Sequence, residues 1–208
     1  MRIIAGRLKG RRLTSPKWPG LRPTSDRLRE TLFDILGARV KGASVLDLYA
    51  GTGASGIEAL SRGASHVTFV ERDRRALALM AENLARCGVG SGYAIIRADA
   101  ERLDSTRLTG VFDLILLDPP YAEGSQEAIL AAAARHLGPG GLLVLEHARR
   151  RPPPGAAGPL VCSRRVVAGD SGLAFYARRP EPGGPGPAPA GPPRGTGAGD
   201  RGPAAHVR

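Results

Sequence analysis

Residues 45–56 read Val45-Leu-Asp-Leu-Tyr-Ala-Gly-Thr-Gly-Ala-Ser-Gly56, and this stretch decides the fold. An apolar, strand-forming run ends in the spacing Gly51-x-Gly53-x-x-Gly56, and a helical pattern opens at Ile57-Glu-Ala-Leu60. Strand, glycine turn and helix N-terminus form the general nucleotide-cradling unit, because the N–H groups of the turn point at the ligand. Gly51 and Gly53 let the main chain approach a ligand closely, and Gly56 lets the helix pack near the strand. Further on, Val67-Thr-Phe-Val70 ends in Glu71, a carboxylate placed to bind ribose hydroxyls. The glycine unit by itself does not choose between a nicotinamide cofactor and S-adenosylmethionine.

Outward from this unit, strand and helix patterns alternate from residue 44 to residue 147. Strands are predicted at 44–49, 66–71, 93–97, 112–117 and 141–146, and helices near 55–63, 73–87 and 124–137. This alternation implies an α/β fold with a doubly wound, mostly parallel, Rossmann-like sheet. Ligands of such sheets bind at the carboxyl ends of the strands. Asp47, Glu71, Asp99 and Asp118 all fall at or near such ends. Two last strands, within 165–168 and 172–177, are predicted antiparallel to each other after a Pro-rich loop over 148–160.

The run Phe112–Leu117 is followed by Asp118-Pro119-Pro120-Tyr121. This tetrapeptide can hold a planar amino group. Asp118 accepts a hydrogen bond from an exocyclic NH2. Pro119 has no N–H, so its carbonyl is its only main-chain polar group and can accept another. Pro120 stiffens the turn, and Tyr121 offers a ring face on which a base can stack. The chemistry indicated is attack by a nucleobase amino group on an activated methyl. Asp47 on the first strand and Asp118 after the fourth, taken together, favour a methyltransferase using S-adenosyl-L-methionine over a dehydrogenase, which needs neither. Asp118, Pro119, Pro120 and Tyr121 are the catalytic candidates; Asp47, Gly51, Gly53, Glu71 and Asp99 are the cofactor-binding candidates.

Charge is uneven along the 208 residues. Residues 1–41 carry a net +8, residues 42–150 a net −2 and residues 151–208 a net +5. The basic front end points to a polyanion gripped by that segment. Within it, residues 2–14 read as a β-hairpin with basic edges, and a helix follows Thr24 or Ser25, with Leu28, Leu32, Ile35 and Leu36 on one side. Arg7, Lys9, Arg11, Arg12, Arg22, Arg27 and Arg29 are the RNA-binding candidates. The division expected is a basic hairpin-and-helix extension over 1–41, a methyltransferase domain over 42–179 and a disordered Pro/Gly-rich tail over 180–208. Two cysteines and four scattered histidines give neither a disulfide framework nor metal-ligand spacing. No stretch approaches the length of a membrane span, and no apolar signal region opens the chain. A cytoplasmic, monomeric protein is expected.

With these motifs assembled, residues 2–178 resemble the bacterial 16S ribosomal RNA guanine-N2 methyltransferases of the RsmD family. Three blocks carry the resemblance: Arg2-Ile-Ile-Ala-Gly with Gly10-Arg-Arg-Leu; Leu21-Arg-Pro-Thr-Ser-Asp-Arg-Leu-Arg-Glu-Thr-Leu-Phe33; and Leu46 through the glycine turn to Gly63. The second block is the specific one, since many S-adenosylmethionine enzymes share the glycine turn. The resemblance implies methylation of one guanine in small-subunit rRNA, on an assembled or partly assembled particle. It further implies that Gly51 and Gly53 contact the methionine part of the cofactor with Asp47 nearby, that Glu71 binds the ribose, and that Asp99 faces the adenine amino group. Two alternatives stay open: an adenine-N6 methyltransferase on DNA or RNA, and a non-catalytic rRNA-binding assembly factor.

Overall fold

A computed structural model describes residues 1–18, 25–103, 108, 110–120 and 125–179. The central stretches that are apolar on both faces form a sheet covered on both sides, as buried parallel strands require. In chain order the elements are α1 (Asp26–Leu36), β1 (Ser44–Leu48), α2 (Ala54–Ser61), β2 (His66–Glu71), α3 (Arg74–Arg86), β3 (Tyr93–Arg97), β4 (Phe112–Leu117), α4 (Gln126–Ala134), β5 (Leu137–Ala148), β6 (Ala156–Ala157), β7 (Leu160–Ala168) and β8 (Ser171–Arg178). The strand order is β3-β2-β1-β4-β5-β8-β7-β6. β3, β2, β1, β4 and β5 are parallel, whereas β8 joins β5 antiparallel and continues antiparallel into β7. The order reverses between β1 and β4, so the crevice where such sheets bind ligands opens at their carboxyl ends.

Side chains alternate between two cores. Val45, Val67, Phe69, Leu114, Leu116, Val144 and Phe175 face the core completed by α1, α2 and α3. Leu46, Leu48, Ile115, Leu117, Leu145 and Tyr176 face the core completed by α4. Gly56 makes the close approach of α2 possible. A Cβ there would lie 2.1 Å from Phe69 Cε1.

Two predictions about local structure are corrected. β5 begins at Leu137 and β7 at Leu160, earlier than the apolar patterning indicates, because β4 and β8 offer them partners at Phe112↔Leu137 and Leu160↔Arg178. The N-terminal hairpin is short: around the antiparallel bridge Arg2↔Arg12, Ile3 N–H donates to the Arg11 carbonyl, Gly10 N–H to the Ile3 carbonyl and Leu13 N–H to the Met1 carbonyl. The donors between its arms turn to α2. Ile4 N–H and Ala5 N–H donate to the two Glu58 carboxylate oxygens at 2.8 and 3.0 Å. Arg7 N–H donates to the Ser61 carbonyl, and Leu8 N–H to Ser61 Oγ. Ile3, Leu8 and Leu13, with Leu28, Leu32 and Phe33 of α1, join the same core as the sheet. The basic front end is thus packed onto the α/β unit and shares its interior. Residues 180–208 lie outside the described residues.

Candidate active site

The alternation that builds the two cores also aligns four carboxylates. Glu71 continues the Val67–Phe69 face of β2, Asp47 the Val45 face of β1, Asp118 the Leu114–Leu116 face of β4 and Glu146 the Val144 face of β5. These are four adjacent strands, and all four residues line one cavity of about 760 Å³. That volume falls in the range of small-molecule and cofactor sites.

On the β2–β1 side the carboxylates fix the glycine turn. Asp47 is buried, and its Oδ2 accepts from Gly56 N–H at 2.9 Å in the first turn of α2. Burial pushes the Asp47 carboxyl up to about 7; the Gly56 hydrogen bond opposes that shift and the nearby Glu71 charge adds to it. Glu71 Oε2 accepts from Gly51 N–H at 2.9 Å, and Oε1 accepts from Arg72 N–H and Asp73 N–H. A carboxylate offers about four lone-pair sites, so these three donors leave Glu71 roughly one for a ligand. Gly53 has φ 77°, and a Cβ on it would lie 2.8 Å from Met80 Cγ. The core therefore requires glycine at 53, whereas Gly51, Thr52 and Ser55 line the cavity. Asn83 of α3 braces the same turn, donating to the Thr52 carbonyl at 3.0 Å while its Oδ1 accepts from Thr14 N–H at 2.7 Å.

Asp99 is placed differently from the expectation. Its Oδ1 accepts from Glu101 N–H, capping the 3-10 turn Ala100–Arg102, and its Oδ2 pairs with Arg72 at 3.4 Å. The neighbours Ala98 and Ala100 line the cavity at that end. At the mouth, the Arg75 guanidinium lies 5.2 Å from the centre of the Trp18 ring. Tyr49 also lines the cavity and holds φ at 62°, in the left-handed region that costs a bulky side chain energy. Neither Trp18 nor Tyr49 carries a sequence signal beyond lying next to a motif.

On the β4–β5 side lie Asp118, Pro119, Pro120 and Glu146, with the β7–β8 turn at 168–171 and Ser25 and Arg27 of the α1 start closing over them. Ser25 caps α1 by accepting from Leu28 N–H. Asp118 N–H reaches the Leu48 carbonyl at 3.5 Å, tying the ends of β4 and β1 together. Glu146 was open to the same rule that singles out Asp118, since it ends a predicted strand. Tyr121 and Arg22 lie outside the described residues.

The basic candidates divide. Arg7, Lys9, Arg11 and Arg12 are exposed on the N-terminal loop, and Arg27 is exposed at the cavity. Arg29 is corrected. It is fully buried on the face of α1 that carries Leu28, Leu32 and Phe33. There it pairs with Asp26 at 2.9 Å and Glu58 at 3.9 Å and donates to the Arg2 carbonyl. It serves as an internal strut and presents no face to RNA.

The residues fit a cationic nucleoside cofactor. Two carboxylates, Asp47 and Glu71, line one cavity close enough for each charge to act on the other, and such a pair favours a positive charge between them. A sulfonium or ammonium group supplies such charge, and the main chain at Gly51 and Thr52 lines the cavity beside it.

Comparison with known proteins agrees. The Conserved hypothetical protein 95 family matches residues 1–177. The chain is 39% identical over 184 residues to "Putative rRNA methyltransferase YlbH" of Bacillus subtilis, covering 86% of this chain and all of that one. It is 40% identical over 127 residues to Ribosomal RNA small subunit methyltransferase D of Escherichia coli, covering 61% of this chain and 63% of the relative. Among solved structures, "Putative methyltransferase yhhF" of Escherichia coli superposes with a TM-score of 0.74 at 33% identity, over 86% of this chain and 97% of that one. The chain belongs to the Conserved hypothetical protein 95 family, the RsmD-like enzymes, and is a methyltransferase with S-adenosyl-L-methionine as its cofactor.

Proposed function

We propose that this enzyme methylates the exocyclic N2 amino group of one guanine in small-subunit rRNA. The observation that carries the reading is the placement of Asp118-Pro119-Pro120 in the same cavity as the glycine turn of β1, one strand away. The names of the relatives supply the RNA, and the exposed N-terminal Arg/Lys side chains supply a surface for it. The substrate is the RNA within a small ribosomal subunit or an assembly intermediate, met in the cytoplasm by a monomer of the enzyme.

Asp47, the Gly51–Thr52 main chain, Glu71 and the Ala98–Ala100 segment would hold the cofactor, and Asp99 would act through Arg72. When bound, S-adenosylmethionine supplies an electrophilic methyl on a good leaving group. The residues then have mainly a positioning task, which can lower a barrier by on the order of 7–11 kcal/mol. Guanine N2 is a weak nucleophile because its lone pair is conjugated with the ring. Hydrogen bonds from its two N–H groups to the Asp118 carboxylate and the Pro119 carbonyl would turn and polarise it towards tetrahedral geometry. Asp118 need not be a strong base, since the N2 proton becomes acidic once nitrogen carries the new bond, and water can take it. The base must leave its stack, at a cost of roughly a few kcal/mol. Stacking on Tyr121, worth about 1–3 kcal/mol, would offset part of that.

The test is methyl transfer to small subunits lacking the modification, with nucleoside analysis. N2-methylguanosine is expected. Asp118→Ala is expected to lower kcat on the order of 10²–10³-fold with cofactor affinity retained. N6-methyladenosine would overturn the base assignment, and cofactor binding without any transfer would favour an assembly role.

A further inference from the structure

Glu146 has no part in the mechanism above, yet it sits in the substrate half of the cavity. β5 pairs with β4 in parallel at Leu116↔Val144 and Leu117↔Leu145. The next step in that register puts Glu146 beside Asp118, about one strand spacing, ~4.8 Å, away. Alternation turns it to the same face as Val144 and Leu116, and it lines the same cavity as Asp118. Its residue is only 9% exposed, between Leu145 and His147.

The lateral order matters. The glycine turn belongs to β1, on one side of β4, and Glu146 to β5, on the other. A purine whose amino group lies at Asp118 and points towards β1 extends its adjacent ring edge towards β5. In guanine, the ring atom next to the C2 amino group on the base-pairing edge is N1, which carries a hydrogen. In adenine and in 2,6-diaminopurine, N1 carries a lone pair instead. An ionised carboxylate accepts from N1–H and repels an N1 lone pair.

We propose that Glu146 selects guanine by accepting a hydrogen bond from N1–H, while Asp118 and the Pro119 carbonyl hold N2. This rests on the guanine-N2 reading above and adds to it the residue that reads the base. Asp118 alone binds any amino group. Glu146 distinguishes a purine with a protonated N1 from one without, including a purine that keeps the reactive C2 amino group.

The experiment compares reconstituted small subunits whose ligated RNA carries guanine or 2,6-diaminopurine at the mapped target position. Both bases present a C2 amino group, so only the N1 and C6 edge differs. The wild-type enzyme is expected to prefer guanine by about 100-fold or more in kcat/KM, as sites built around a buried hydrogen bond do. Glu146→Gln keeps the shape but can turn its NH2 towards an N1 lone pair. It is expected to keep guanine activity within about 10-fold, because its amide oxygen still accepts from N1–H, and to recover activity on diaminopurine, collapsing the ratio. Cofactor affinity, measured on the same samples, is expected to match wild type. Equal wild-type rates on the two bases would overturn the proposal whether or not the variant folds. An unchanged preference in a cofactor-binding Glu146→Gln enzyme would also overturn it. In either case, N2-methylguanosine formed by the wild type would leave the guanine-N2 reading standing; its absence would remove both.

Discussion

Asp47 couples the site to pH. Its carboxyl titrates at about 7 in the folded protein against an ordinary value of 3.8. Its contribution to stability is therefore complete below pH 3.8 and is lost as pH rises through about 7. Three pH units correspond to on the order of 4 kcal/mol. Asp47→Asn is expected to flatten the fall in unfolding free energy between pH 4 and pH 7, as followed by urea denaturation at a series of pH values. A slope unchanged by the substitution would assign it to other groups. A cationic cofactor favours the ionised carboxylate, so its binding near pH 6.5 is expected to release a proton. Calorimetry in two buffers of different ionisation enthalpy reads that directly, and identical heats would contradict it. At this scale the sequence was informative where a side chain sits on a strand end within a motif, as Asp47 and Asp118 do. It was silent on Trp18, whose place depends on the path of a loop. It misled at Arg29, where an arginine sits on the apolar side of a helix.

At the scale of elements, Glu58 holds the front of the chain in place. One carboxylate receives Ile4 N–H, Ala5 N–H and the Arg62 guanidinium, and lies 3.9 Å from buried Arg29. Glu58→Ala would remove one of the two carboxylates paired with buried Arg29 and leave Ile4 N–H and Ala5 N–H without their acceptor, and is expected to destabilise the fold by roughly 3–5 kcal/mol. Hydrogen exchange at Ile4 and Ala5 should rise with it; protected amides in the variant would show that another group holds the loop. Strands β1, β2 and β4 were legible almost to the residue, because burial on both faces leaves a nearly unbroken apolar run bounded by turn residues, and edge strand β3 was legible from its short apolar run between turns. The docking of the N-terminal hairpin was not, because the donors of Ile4, Ala5, Arg7 and Leu8 are met by a helix more than fifty residues away, and no local pattern announces such partners. The ends of β5 and β7 escaped for a related reason. Their Gly-, Pro- and Arg-containing extensions are strand only because a neighbour completes their hydrogen bonds.

Over the whole molecule, the two ends of the chemistry sit on one rigid body. The exposed Arg7, Lys9, Arg11 and Arg12 belong to a loop that shares its core with β1 and β2. If they neutralise phosphates, replacing all four with Ala is expected to weaken RNA binding and to flatten log K against log salt by up to about 3, at ~0.7 per contact. An unchanged salt slope would remove them from the interface. The fold class could be read from the β/α alternation alone, and the charge asymmetry pointed to the front end. How that end attaches could not be read, since it depends on pairings between distant residues.

Those distant pairings also order the making of the molecule. Residues 3–8 meet their supports at Glu58 and Ser61, and Thr14 meets Asn83 across 69 positions. During synthesis, apolar Ile3, Leu8 and Leu13 cannot complete their packing until α2 and α3 have been made. A segment with such long-range contacts pays a large loop-closure cost before it gains anything. The basic loop therefore waits undocked on the nascent chain through the synthesis of about a third of the α/β unit, residues 42–86 of 42–179. Its closely spaced Arg and Lys residues give that waiting stretch a net positive charge, which opposes self-association.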